Sequence, residues 1–371
     1  MRKNKSGWIL FPFLLLAICW LTACSNKDDE GSDSGTTLKV ECSHTCFIVN
    51  MGNYSESNGS IATMRQGESI SQNRFSQANG YKLRSIIESA AFGDGYVLLM
   101  CGNEDKVAIL DANTYKEACT AITGIGLPRY AAIIGHYAYV TCVNPTWTDT
   151  IGHIVKIDLD SKKVVNSIKV KGNPEEIRVI DGQLYATSGY RLYQIDPTTD
   201  SIVRAICLSD PSATARYLRA DASGRIWVSY THYDAQGYGT NCGIAAYTPG
   251  GQSFGQTLPL AKMSGDGIID LSPDGNTLYY LYASEVVGGR SPEPETGIYR
   301  VDLTALSADS SALCTGHGFY GFNVDPSTGN IYTANVNGFV TNSMISIFDS
   351  KGKLLQNDLM AGVGTCRFYF R

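Results

Sequence analysis

The chain has 371 residues, 43% hydrophobic and 18% charged, an ordinary globular composition with enough apolar side chains for a large core. Lys and Arg number 30 against 35 Asp and Glu, a formal charge of −5. No long basic run occurs, which argues against a phosphate backbone as partner.

Arg2, Lys3 and Lys5 precede an apolar stretch, Trp8 to Leu21, that is short for a membrane span and laid out like a secretory signal. It ends in Leu21-Thr22-Ala23-Cys24, which resembles the bacterial lipobox. That resemblance implies a signal peptide over 1–23 and lipid on the Cys24 sulfur, the only membrane attachment expected. Ser25-Asn26-Lys27-Asp28-Asp29-Glu30 resembles the acidic export signal of surface-displayed lipoproteins. The same residues, with the Gly/Ser-rich run to 37, also read as a flexible tether. The expected address is the outer membrane, lipid-anchored and facing the cell surface.

From residue 38 to 371 one pattern returns: a strand, a polar turn with Asp or Gly, another strand. "VAILDANTYKEA" at 107 recurs as "IVKIDLDSKKVVNSI" at 154 and "LYQIDPTTDSIVRAI" at 192, with further copies to the end. The turn positions Arg65, Asp111, Asp158, Asp196, Thr248, Asp302 and Asp349 lie about 47 residues apart on average, the period of a four-stranded propeller blade. A second phrase precedes six of the copies, as in "IGHYAYVTCV", "IDGQLYATSG" and "ASGRIWVSYT": a tight turn, then an alternating strand. No window has a helical apolar period long enough for a substantial helix. The expected fold is all-β, a seven-bladed β-propeller in one domain. "VGTCRFYF" at 363–370 has no strands after it, and "CFIVN" at 46–50 has no innermost strand before it. The C-terminal strand is therefore expected to join the N-terminal blade and close the ring.

Among the eleven cysteines, Cys101, Cys142 and Cys207 fall in strand-like runs, where a thiol packs as a small hydrophobe. Cys42 and Cys46 lack a partner motif for zinc, and no metal or cofactor is expected. Among His44, His136, His153, His232 and His317 there is no HxxxH pair. No GxSxG elbow or phosphate loop occurs, so a binding role is favoured over an enzyme; a lyase or hydrolase assembled from Glu175, Asp266 and Arg216 stays as an alternative.

Loop length distinguishes the two faces. Second-to-third strand connections such as "NMGNYSESNGS", "VNPTWTDTIGH" and "YTHYDAQGYGTNCG" are long, and alternation puts them on the rim of the blade-to-blade crossovers. Crossover residues expected at the channel mouth are Arg129, Tyr130, Glu175, Arg216, Tyr217, Asp266, Tyr320 and Arg367. The loops add Tyr54, Trp147, Tyr233, Tyr238, Asn335 and Phe339. Aromatic faces beside Arg, Asp and Asn suit a flat ligand with a polar fringe, such as a corrinoid, a glycan or a peptide. The same charged residues could instead pair with one another and close the centre of the ring.

"YVTCVN" (139–144) and "IYTANVN" (331–337) resemble the YVTN/YncE-like propellers, over nearly all of the chain after residue 38. With the lipobox, the acidic tether and "GTCRFYF", the chain resembles the BtuG-type surface lipoproteins. This implies capture of a small ligand, cobalamin or a related corrinoid, and delivery to a TonB-dependent outer-membrane transporter. Glycan or protein binding at the cell surface is the alternative. The resemblance transfers no ligand residue, so the residues named above rest on the rim alone.

Overall fold

Each expected turn aspartate ends a third strand and folds its carboxylate back on the chain. Asp111 Oδ1 accepts the Asn113 and Thr114 amides at 3.1 and 2.8 Å, and Asp158 Oδ1 accepts those of Asp160 and Ser161. Asp196, Asp302 and Asp349 repeat the device. An Asx turn reverses the strand cheaply because the side chain supplies the hydrogen bond that the turning backbone lacks. This is why Asp recurs at the blade period.

The computed structural model describes residues 45–65, 68–146, 151–235, 239–287 and 293–371. The lipobox, Cys24 and the acidic tether lie outside the described residues. Among those described, no helix is long and apolar enough to cross a membrane.

The strands form seven antiparallel sheets, the blades of a seven-bladed β-propeller. The innermost strands, in ring order, are Thr365–Phe370, Ser89–Gly93, Leu127–Ile134, Pro174–Ile180, Thr214–Ala220, Ile269–Leu271 and Phe319–Val324. The first blade is closed as expected: Thr365–Phe370 pairs antiparallel with Thr45–Asn50, which pairs with Ser60–Arg65. Among the described residues that blade has three strands. Where a fourth would run there is a single bridge, Thr63 to Ser71, then a short helix, Arg74–Asn79, that the repeat pattern did not announce. Apolar clusters lie between successive blades, with Trp227, Tyr139, Tyr247, Tyr280 and Phe368 among the large buried side chains.

Most described cysteines are buried free thiols, among them Cys101 and Cys366, whose pKa burial pushes up to about 12. Cys207 departs from expectation. It ends the outermost strand Ser201–Cys207 and is exposed, because strand propensity does not reveal how far from the axis a strand lies.

Candidate functional site

The innermost strands are bulged where they face the channel. Register shifts fall between Pro128 and Ala131, Pro174 and Ile177, Ala215 and Leu218, and Phe319 and Gly321. The bulges let neighbouring residues both turn toward the axis: Arg129, Glu175, Arg216 and Tyr320 at the mouth, with Tyr130 and Glu176 deeper, where they line a cavity. The threonine of the repeated phrase stabilises this irregular backbone. Thr141 Oγ1 accepts the bulged Tyr130 amide at 3.0 Å and donates to Glu175 O of the next blade at 2.6 Å. Thr187 does the same for Glu176 and Arg216 O. One hydroxyl thus satisfies a buried amide and ties adjacent blades together.

Six of the expected residues meet in one network. Arg129 bridges Glu88 at 2.7 Å and Glu175 at 2.9 Å, and Arg216 reaches Glu175 from the other side at 3.5 Å. Below them Arg367 donates through Nη2 to the hydroxyls of Tyr130 (2.6 Å) and Tyr217 (2.7 Å), whose rings stand edge to face. Burial alone would raise the Glu175 pKa, but Arg129, Arg216 and Arg367 overcome it and hold the carboxyl below its ordinary value. Burial pushes the Tyr130 hydroxyl well above the phenol range, so it stays protonated as a neutral partner of Arg367. The mutual pairing that was the alternative for these charges is present, and it plugs the channel.

The remaining residues surround that floor. Tyr54 is 65% exposed, with its hydroxyl 3.5 Å from Glu88 Oε1, and Tyr233 is 42% exposed. Tyr320 packs edge to face on Phe339 at 4.9 Å, and Phe339 O is held by Asn53. Asp266 is exposed; its backbone carbonyl accepts from Arg216, and the charge of its carboxylate acts on the same guanidinium. Asn335 takes a local role instead, its Oδ1 accepting the Asn337 amide at 2.9 Å. Trp147 and Tyr238 lie outside the described residues.

Two features escaped the sequence reading. Glu88 immediately precedes the innermost strand of its blade, in "SIIESAAF", and was not among the expected crossover residues. The loop expected over "YTHYDAQGYGTNCG" is partly sheet: Tyr233 pairs with Gly239 and His232 with Thr240, so this hairpin extends the blade and carries Tyr233 on a strand. On the opposite face Asp94, His136 and Asp160 gather in the open, with His136 Nδ1 3.0 Å from Asp94; that hydrogen bond raises the histidine pKa.

No family model and no curated protein matches the chain. Solved structures do. A candidate 6-phosphogluconolactonase of Bacteroides uniformis is 15% identical with TM-score 0.63, over 88% of this chain and 99% of that one. Another from Bacteroides fragilis is 16% identical with TM-score 0.62, over 91% and 100%. The periplasmic gluconolactonase PpgL of Pseudomonas aeruginosa is 14% identical with TM-score 0.61, over 88% and 99%. Likeness at such identities is one of fold. The chain is a β-propeller whose channel is closed at the long-loop end by its own arginines, carboxylates and tyrosines.

Proposed function

We propose that the protein is a lipid-anchored surface lipoprotein that captures a small ligand at the long-loop mouth, a corrinoid such as cobalamin, for delivery to a TonB-dependent transporter. The observation that carries this reading is the combination of solvent-facing Tyr54 and Tyr233 with a floor of arginines already paired to carboxylates. Such a floor offers fixed dipoles and a level surface, while the tyrosines offer aromatic faces. A corrinoid presents a flat macrocycle fringed with amides, and Asp266 supplies a carboxylate to receive one.

The test is calorimetric titration with cyanocobalamin. Saturable binding at micromolar ligand is expected. The double substitution Tyr54→Ala/Tyr233→Ala should weaken it about 30- to 150-fold, two aromatic contacts at about 1–1.5 kcal/mol each. Absence of binding at micromolar ligand refutes the corrinoid; a glycan array then examines the other surface-capture reading. For the address, Cys24→Ala should release the protein from the membrane fraction; retention there would count against the anchor.

The gluconolactonases of like fold motivate a second reading, hydrolysis of a sugar lactone at the same mouth. A general base must be free to take a proton near neutral pH. Glu175, paired on both sides, is poorly suited, which leaves Asp266. Hydrolysis of gluconolactone that disappears in Asp266→Asn would favour this reading over capture.

A further inference from the structure

The plug divides the channel, and an open space near the axis lies on the side the loops do not reach. A cavity of about 530 Å³ runs from the underside of Arg367 and Tyr130 to the face of the short first-to-second strand turns, marked by Pro273 and Pro326. Its volume falls in the range of small-molecule sites.

Its charges are not balanced. Arg178, Arg219 and Arg367 line it against only Glu176 and Asp270. Arg219 donates through Nε to Asp270 at 2.9 Å and through Nη1 to both oxygens of Glu176. Its Nη2 has no partner among the described residues and is not sealed from solvent. Arg178 donates through Nε and Nη2 to Glu176 Oε1, leaving Nη1 unused on a side chain 43% exposed. Glu176 and Asp270 therefore hold the two guanidiniums in place while a donor on each stays available. Two fixed guanidiniums with free N–H groups in a partly dehydrated recess suit a carboxylate or phosphate. Phe92, Ile133, Val179 and Phe370 supply apolar wall beside the polar Ser272 and Asn323.

We infer that the channel contains a second ligand site, at the end opposite the long loops, for a small organic anion: a carboxylate or phosphate monoester on an apolar body. The site is independent of what the long-loop mouth captures, since the plug lies between them and Arg178 lines only this end.

Calorimetric titration with phenyl phosphate and with benzoate tests it, with benzyl alcohol as the uncharged comparator. At least one anion should bind saturably below about 1 mM, and benzyl alcohol should not. Arg178→Gln, which leaves Glu176 paired to Arg219, should weaken the anion at least about ten-fold, the loss of one charge-assisted contact. Val179→Glu, a carboxylate on the cavity wall, should do the same without touching the arginines. Lys163→Gln, on an outermost strand, should change nothing. No saturable binding of either anion, equal binding of benzyl alcohol, or indifference to both Arg178→Gln and Val179→Glu overturns the inference.

Discussion

A chain ending at Gly364 is expected not to fold. Removing Thr365–Phe370 takes away the innermost strand of the first blade, and with it Cys366 and Phe368, each at most 2% exposed. It also removes Arg367, which holds Tyr130 and Tyr217 together across the channel. Thr45–Asn50 would then present an unpaired edge to the axis, and the ring would be open between its first and last blades. A milder form of the same experiment is Phe368→Ala. Phe368 packs against Tyr332 in a cluster with Cys46 and Ile345, so it joins the chain's two ends. Truncating a buried phenylalanine costs about 3–5 kcal/mol, a large share of a domain's net stability. Urea unfolding should show the Phe368→Ala midpoint displaced strongly downward, and the truncated chain should give no cooperative transition. A truncated chain that melts like the full one would show that the ring does not need its closing strand.

Stability is expected to collapse in mild acid, and Glu176 to be a main reason. Glu176 is buried, with both oxygens on Arg219 and one also on Arg178. Burial would raise its pKa, but Arg178, Arg219 and the Leu218 amide outweigh that and hold it below its ordinary value of 4.5. Glu175 is held down in the same way by Arg129 and Arg216, and Asp270 by Arg219 and Asn323. In each case the unfolded chain binds the proton more readily than the folded one. Their contribution is therefore complete above about pH 5 and lost as pH falls through the lowered folded values. Melting temperature should be level near neutrality and drop steeply from about pH 5 toward pH 3. Glu176→Ala should cost about 3–5 kcal/mol at neutral pH, because it leaves Arg219 buried with only Asp270 beside it. It should also flatten the acid slope. A variant with wild-type stability and an unchanged slope would remove Glu176 from this role.

The blade period was legible because each turn repeats one local device. An aspartate that receives its own chain's amides works wherever it stands, so Asp111, Asp158 and Asp196 reveal the repeat without any knowledge of the ring. The closing strand was legible for a related reason: "TCRFYF" is an alternating strand with nothing after it to pair. The helix Arg74–Asn79 was not, since it fills the place of a missing fourth strand and answers to that vacancy rather than to an apolar period of its own. The crossover residues were found by position, and the bulges explain why adjacent pairs such as Arg216-Tyr217 both reach the axis. Their partners were not legible. Glu88, Arg129 and Glu175 come from three blades and meet only when the ring is complete.

Local chemistry in the chain thus specifies the turns, the strands, the period of the blades and the long-loop rim, because each depends on residues within one repeat. Which end of the channel is plugged and which is open depends on side chains from all round the ring. At the loop end Arg129 bridges Glu88 and Glu175 and Arg367 holds two tyrosines, while at the other end Arg178 and Arg219 share Glu176. Charge pairing across the axis is set by distances that exist only after closure, and that is where the tertiary structure decides what the repeats leave open.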